Sequence, residues 1–393
     1  MKNRYNYFAR LILLLAIAVC LLQDLCAQNF PSSAEILERI QALQVKKDSF
    51  YSPGMFTSYR RYARKSNTYK ADDNIFFTAI SLFTLKQLRN DVEEPEKILI
   101  DSIYSKGINS FYKYRNQKEQ PIYNFWQTDT PVIFPNSGWL NWFDKSNSMP
   151  DDTDDTVMIL MALQANDSTA KQVHELMRQH ANLKNKRVKN TFKNYRDIPA
   201  YSTWFGKKMP VDFDVCVLAN VLYFVQLNQL TWQKEDSASV DLIRQVIVDK
   251  KYMTDPAYIS PHYSRSAVII YHFARLLGKY QMPALDSLKP ILINSARELF
   301  RSTDLLMDKV ILNTSLLRLG AAAEIINSNG NITFDDIESR KFAFFIGDMA
   351  TYLPNTFRGM MASTGIGKFY FYSPAYNNVL LLEYLTELRK RGY

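Results

Sequence analysis

The sequence predicts an all-α protein, and more narrowly a single α/α toroid built from paired inner and outer helices. Strand-like alternation is nearly absent from the 393 residues, apart from a short stretch around Phe369–Phe371. About a dozen segments carry helical periodicity instead. Some of these are apolar all round, as inner helices are, and others have one apolar side, as outer helices do. A helical solenoid is the alternative architecture, but no strict repeat period supports it.

Composition places the chain among ordinary globular proteins and limits its partners. Apolar residues make up 47% of the sequence, and no Gly/Ser/Pro-rich linker divides it, so residues 28–393 are predicted to form one domain. Aromatic residues reach 13%, enough for some of the tyrosines to line a cavity. The net charge of +9 comes without a basic cluster, so it does not indicate nucleic acid. It would suit an anionic substrate or association with a membrane surface.

The N-terminus has the three parts of a secretory signal peptide. Basic residues precede the continuous apolar run Leu11–Leu22, and residues 25–27 then offer a cleavage site. The apolar run is too short to span a bilayer comfortably, which needs roughly 20 residues. Residues 1–27 are therefore predicted to be a signal peptide, and the protein is predicted to be secreted or periplasmic. A retained N-terminal anchor is the alternative. After cleavage Cys216 is the remaining cysteine, so no intramolecular disulfide or cysteine-based zinc site is expected.

Helix signals follow one another along the rest of the chain. Ser32 and Glu35 form a capping box for the first helix, Asp167 and Ser168 are expected to cap another, and Gly320 ends a third. The predicted helices cover about residues 33–43, 75–83, 95–111, 154–165, 167–181, 213–227, 237–249, 264–278, 284–300, 304–319, 335–350 and 377–390.

One long connection is predicted to be an ordered loop. Residues 123–143 lack a helical period and contain Trp126, Trp139 and Trp142. Loops of that length inside a compact domain are usually functional. We therefore expect this loop to contribute to a binding site.

The strongest functional signal is the segment Pro150–Met158. Four carboxylates, from Asp151, Asp152, Asp154 and Asp155, fall within five residues directly before an apolar helical run. Charge beside a buried segment is costly unless a metal, a cation, a ligand or a retained proton compensates it. A simpler interpretation is a helix N-cap with spare surface acids.

Two similar segments each introduce an apolar helix. Residues 258–263 read Tyr-Ile-Ser-Pro-His-Tyr, and residues 370–376 read Tyr-Phe-Tyr-Ser-Pro-Ala-Tyr. They form a weak internal repeat of a loop that leads into an inner helix. Packing of these loops against the inner helices would also explain them.

The acidic segment resembles a known signature. Asp152-Thr153-Asp154-Asp155-Thr156-Val157-Met158 resembles the Asp-x-Asp-Asp-Thr-Ala-Met motif of class II terpene cyclases, a group that includes the squalene–hopene and diterpene cyclases. Ser260-Pro261-His262-Tyr263 is also similar to a Ser-Pro-Tyr-Tyr segment of bacterial diterpene cyclases. The resemblance implies the α/α-toroid fold of the terpenoid cyclase and prenyltransferase superfamily over residues 35–390. Class II cyclases usually combine two toroids, whereas this chain has room for one.

The resemblance also implies a chemistry. In that family the middle Asp of the motif protonates an alkene or an epoxide, so Asp154 would be the general acid of a polyprenoid cyclase, tuned by Asp152 and Asp155. A helix N-terminus lowers the pKa of a carboxyl group, whereas neighbouring carboxylates and an apolar cavity raise it. Aromatic faces would stabilise carbocations. No metal or other cofactor is expected. The candidate substrate-binding residues are Trp126, Trp204, Asp214, Tyr258, His262, Tyr263 and Tyr372.

A metal-dependent interpretation of the Asp cluster uses the same residues. Asp151-Asp152-x-x-Asp155 fits the motif with which class I terpene synthases hold Mg²⁺ and diphosphate. Those enzymes need a second metal-binding motif on a later helix, and the sequence does not contain one.

Two further interpretations come from the toroid itself. Secreted helical toroids often degrade polysaccharides, so the chain could be a glycoside hydrolase or lyase that binds a glycan. That enzyme would need a carboxylate opposite the Asp cluster, and Asp212 or Asp214 is the candidate, although either can simply cap the next helix. Its sugar-stacking residues would be Trp126, Trp139, Trp142 and Trp204. A non-catalytic toroid that binds a ligand is the remaining interpretation.

Overall fold

The computed structural model describes residues 30–65, 68–118, 120–129, 151–205, 209–327, 330–348 and 364–392. The predicted signal peptide and the residues Trp139 and Trp142 lie outside the described residues. Within them, the protein is mostly helical, which confirms the predicted class. The helices are α1 Ser33–Ala42, α2 Phe76–Leu88, α3 Glu94–Gly107, α4 Thr153–Leu163, α5 Asp167–Gln179, α6 Val215–Leu227, α7 Lys234–Val248, α8 Lys251–Thr254, α9 Pro256–Ile259, α10 Ser266–Lys279, α11 Pro283–Asp286, α12 Lys289–Ser302, α13 Leu306–Arg318, α14 Phe334–Ile337 and α15 Pro374–Lys390.

Six buried helices contact one another in a closed cycle. α2 packs on α4, α4 on α6, α6 on α10, α10 on α13, α13 on α15, and α15 returns to α2. Most of the side chains of these helices are buried, because their sequences are apolar on nearly every side. α1, α3, α7 and α12 each pack on at least one helix of the cycle. The finer description as a single toroid stays a prediction.

Helix ends follow the signals in the sequence with small shifts. Ser32 and Glu35 form the predicted capping box, and Gly320, with φ +90°, follows the end of α13. The prediction that Asp167 and Ser168 cap α5 is wrong, because the side chain of Asn166 accepts a hydrogen bond from the Thr169 amide instead. The predicted helix 284–300 is divided into α11 and α12.

A four-stranded antiparallel sheet is the main departure from the all-α prediction. Its strands are β1 Ser58–Tyr62, β2 Tyr69–Asp72, β3 Phe345–Asp348 and β4 Lys368–Tyr372, in the order β2-β1-β4-β3. The prediction of one helix over residues 335–350 is wrong for the part that the structure describes, up to residue 348. This stretch forms the single turn α14 and then β3. β4 contains the short stretch in which alternation was expected. No helix among the described residues is long and apolar enough to cross a membrane.

Candidate active site

The start of α4 is held between two loops that bring aromatic side chains to it. The Asp152 amide donates to the Tyr123 carbonyl at 3.2 Å, and the Thr153 amide donates to the Thr203 carbonyl at 2.8 Å. The Tyr123 amide in turn donates to the Thr156 hydroxyl at 2.9 Å. These bonds satisfy backbone groups on both sides of the helix start. They also fix the positions of the loops that carry Trp126 and Trp204.

A cavity lies at this end of the helix cycle. Carboxylates of α4 form one part of its wall, and aromatic rings from α2, two loops and the sheet form most of the remainder. The described residues that line it are Phe76, Phe125, Trp126, Asp152, Asp154, Asp155, Thr203, Trp204, Val217, His262, Phe345, Gly347, Asp348, Phe369 and Phe371. The structure therefore brings together the Asp cluster and three of the predicted substrate-binding residues, Trp126, Trp204 and His262.

Asp154 is buried, and both of its carboxyl oxygens accept hydrogen bonds. The Tyr263 hydroxyl donates to Oδ2, and the Asn220 side-chain amide donates to Oδ1 at 2.6 Å. Burial raises the pKa of Asp154, although these two hydrogen bonds and the charge of Arg275 oppose the rise. Tyr263 was predicted to bind substrate, but it contacts Asp154 through its hydroxyl and is not among the residues that line the cavity.

Asp152 and Asp155 form a coupled pair beside Asp154. Asp152 is the N-cap of α4, and its Oδ1 accepts a hydrogen bond from the Asp155 amide at 2.7 Å. Burial raises the pKa of Asp152 to about 6. Burial, followed by the negative charge of Asp152, raises the pKa of Asp155 well above its ordinary value. Burial thus outweighs the helix N-terminus, which would lower these pKa values, so these carboxyl groups hold a proton more tightly than exposed ones do.

His262 is the basic side chain nearest to the cluster among the residues that line the cavity. Burial alone would lower its pKa, but the carboxylates of Asp212, Asp214 and Asp152 outweigh burial and raise the pKa. Its Nε2 lies 3.6 Å from Asp212 Oδ2, an ion-pair distance that is too long for a hydrogen bond. Its ring packs edge-on against Trp204, with centroids 5.7 Å apart, and parallel to Phe345 at 5.9 Å.

Asp214 anchors the loop before α10 and caps α6. Its Oδ1 accepts hydrogen bonds from the Cys216 amide at 2.9 Å and the Ser260 hydroxyl at 2.6 Å, and its Oδ2 accepts one from the His262 amide at 2.9 Å. Burial raises its pKa to about 6. Asp214 is not among the residues that line the cavity, so its carboxylate supports the site by positioning His262.

Two predicted binding residues lie elsewhere. Tyr258, in α9, packs edge-on against Phe192 with ring centroids 4.6 Å apart. Tyr372, in β4, stacks on Tyr59 at 5.3 Å and lines a separate groove that also contains Arg340. The structure therefore does not bring Tyr258 or Tyr372 to the cavity that contains the Asp cluster.

Several residues of the site were not predicted. Phe76, Phe125, Phe345, Phe369 and Phe371 line the cavity, and Asn220 and Arg275 lie behind Asp154. For the last two the sequence did contain a signal, because each is a polar residue inside a helix that is otherwise largely apolar and buried. Over the described residues, no group of three or more His, Cys, Asp and Glu side chains is arranged to hold a metal ion.

The positioning of Trp126 depends on a second buried carboxylate. Its indole N–H donates to Asp72 Oδ1 at 3.1 Å, and the same oxygen accepts the Asn74 side-chain amide at 2.9 Å. Arg60 lies 3.5 Å from Asp72 Oδ2. This cluster, at the junction of β2 and α2, holds the Trp126 ring against the cavity.

Comparisons with known proteins give one match. No family model matches the chain, and no curated protein matches its sequence. Among solved structures, a variant of the type II terpene cyclase MstE from Scytonema, in complex with geranylgeranyl dihydroxybenzoate, is similar with a TM-score of 0.50 and 11% sequence identity. The similarity covers 91% of this chain and 97% of that one. The chain therefore has a terpene cyclase-like fold, and it spans nearly the whole length of this cyclase chain.

Proposed function

We propose that this protein is a terpene cyclase-like enzyme that begins the cyclisation of a polyprenoid by protonating an alkene or an epoxide. The observation that carries the proposal is the position of the Asp152–Asp155 cluster, which opens onto a cavity lined mainly by aromatic rings. Asp154 is the general acid, and Asp152 and Asp155 adjust its acidity. The export of the protein through residues 1–27 is part of the proposal.

The acid must be strong enough to protonate carbon and must still hold its proton before it reacts. Burial beside Asp152 and Asp155 favours the protonated form of Asp154. The Tyr263 hydroxyl and the Asn220 amide donate to the carboxylate that remains after proton transfer, so they stabilise charge where it develops. Together these effects favour a protonated ground state and a stabilised conjugate base.

The cavity walls suit the cations that follow protonation. Seven Phe and Trp residues of the wall come from α2, β3, β4 and two loops, so rings surround the space on several sides. Ring faces attract cations, by about 0.5–2 kcal/mol each when desolvated. Apolar walls also keep water away from a carbocation, which would otherwise be quenched. The seven residues are Phe76, Phe125, Trp126, Trp204, Phe345, Phe369 and Phe371.

A glycoside hydrolase on the same scaffold is the second candidate. Asp348 of β3 lines the cavity in addition to the cluster of α4, so carboxylates reach it from two elements. However, Asp348 lies 3.5 Å from the ammonium of Lys368, and most of the wall offers no hydrogen-bonding group for sugar hydroxyls. The apolar wall favours the polyprenoid.

The test is an assay of the protein, expressed with its own N-terminal segment, against squalene, prenyl diphosphates, a prenylated dihydroxybenzoate and a panel of glycans. We expect a cyclised product from a polyprenoid and a loss of about 10²–10⁴-fold in its rate for Asp154→Asn. Asp197→Asn, which changes an exposed carboxylate, is the matched control and should retain the rate. The proposal fails if no polyprenoid is converted or if Asp154→Asn is as fast as the parent protein. Cleavage of a glycan would establish the second candidate.

A further inference from the structure

A buried arginine lies behind the proposed acid, with one amide side chain between them. Arg275, in α10, donates from Nη2 to the side-chain carbonyl of Asn220, in α6, and the Asn220 N–H donates to Asp154 Oδ1 at 2.6 Å. Arg275 and Asn220 are 6% and 1% exposed, so water does not replace these bonds. The guanidinium also lies against the rings of Phe83 and Tyr271, at 5.8 Å and 5.7 Å from their centroids.

The order of donors and acceptors in this chain permits one orientation of the amide. A guanidinium can only donate hydrogen bonds, so it requires the carbonyl oxygen of Asn220. The amide nitrogen must then point the other way, toward Asp154. With the amide flipped, its NH₂ group would face the N–H donors of Arg275. Its oxygen would then face the carboxylate oxygen of an ionised Asp154, and neither contact can form a hydrogen bond.

We propose that Arg275 is a positioning residue that fixes the Asn220 amide, so that Asp154 always faces an N–H donor and never the amide oxygen. The consequence concerns the proton on Asp154. An N–H donor stabilises the carboxylate, whereas a flipped amide oxygen would accept the carboxyl proton and hold it there. Arg275 thus keeps Asp154 acidic through Asn220. This inference rests on the proposed role of Asp154 as a proton donor.

A direct effect of the arginine charge on Asp154 has to be separated from an effect that acts through Asn220. The other charged or titratable groups around Asp154 are Asp152, Asp155, Asp214, Cys216, His262 and Tyr263, and all of them stay unchanged in the variants below. A cycle that combines Arg275→Gln with Asn220→Leu makes the separation, because the second change removes the amide.

The readout needs no substrate. For each background the unfolding free energy is measured across pH with and without Asp154→Asn, and the pH dependence of the difference gives the folded-state pKa of Asp154. We expect Arg275→Gln to raise this pKa by about one to two pH units, the effect of losing a hydrogen bond to a charged group. In the Asn220→Leu background, Arg275→Gln should cause a clearly smaller rise, because only the direct effect of the arginine charge then remains. Arg318→Gln removes another buried arginine, which pairs with Glu383 at 2.6 Å, and should leave the pKa of Asp154 unchanged.

Two results would overturn the inference. Arg275→Gln could leave the pKa of Asp154 unchanged, or it could raise it equally with and without the Asn220 amide, as a direct charge effect would. Should Arg275→Gln fail to fold, Arg275→Lys replaces it, and a rise in pKa that is smaller than that of Asn220→Leu is then expected because the ammonium still donates to the amide oxygen. An equal or larger rise contradicts the proposal. Absence of any polyprenoid product would reject the proposed function without changing this titration.

Discussion

The retained proton of the Asp152–Asp155 pair can be detected from stability alone, by replacing Asp155 with Asn. The amide has the shape of a protonated carboxyl group and can likewise donate to Asp152, so it imitates the state that the folded protein favours. At pH values between its unfolded and its folded pKa, Asp155 is ionised in the unfolded chain but protonated in the folded protein, because burial and Asp152 raise the folded pKa well above the ordinary value.

The sign and size of the effect follow from proton linkage. A folded state that binds one more proton than the unfolded state loses about 1.4 kcal/mol of unfolding free energy for each pH unit. This loss begins above the unfolded pKa and ends at the folded pKa. Asp155→Asn has no titratable group at this position, so its unfolding free energy does not show this loss. The variant should therefore gain about 1.4 kcal/mol relative to the parent protein for each pH unit above the unfolded pKa, until the folded pKa of Asp155 is reached.

Chemical denaturation at several pH values measures this difference. Asp152, whose pKa is about 6, contributes to both proteins, so its titration largely cancels in the comparison. Asp197→Asn, at an exposed carboxylate, is the control and should follow the parent protein at each pH. A difference between Asp155→Asn and the parent that does not change with pH would refute the reasoning. It would mean that Asp155 is ionised in the folded protein and that the cluster holds no extra proton.

Two further predictions address the hydrogen bond from Tyr263 to Asp154 and the backbone conformation at two glycines. Tyr263→Phe leaves Asp154 Oδ2 without its donor and should cost about 1–3 kcal/mol of unfolding free energy near pH 8. The loss should become smaller as the pH falls, because a protonated Asp154 depends less on this donor, and an equal loss at every pH would contradict this role. Gly54 and Gly320 both have positive φ, at +89° and +90°, but a Cβ on Gly54 would lie 2.1 Å from the Lys106 carbonyl oxygen, whereas a Cβ on Gly320 has open space. Thermal denaturation should give a loss of about 1 kcal/mol for Gly320→Ala and a clearly larger one for Gly54→Ala, and equal losses would show that the close contact is not limiting.

Features that depend on neighbouring residues were predicted well from the sequence. Each long helix has its own apolar pattern, and the capping box of α1 and the acidic start of α4 involve residues three positions apart. The Asp cluster was also identified as a candidate site, because its charge precedes an apolar run, although a helix N-cap with surface acids was the alternative. These local signals gave the helical class and the acidic part of the site.

Features that depend on distant segments were not predicted. β1 is paired with β2 close by in sequence, but also with β4, which lies some 300 residues further along the chain. The chain Asp154–Asn220–Arg275 joins three helices that meet through packing. A polar residue inside an apolar helix indicates that a partner exists, but the sequence does not identify that partner.

The tyrosine and phenylalanine residues of β4 show why one part of the cavity wall was assigned to the wrong side chain. Side chains alternate between the two faces of a strand, so a set of aromatic residues in a row is divided between them. Phe369 and Phe371 face the cavity, whereas Tyr372 stacks on Tyr59 in a different groove. All are aromatic, so composition cannot distinguish the two faces. The pairing of Phe371 with Arg60 and Phe345 distinguishes them, since a shift of one residue in this register would exchange the two sets.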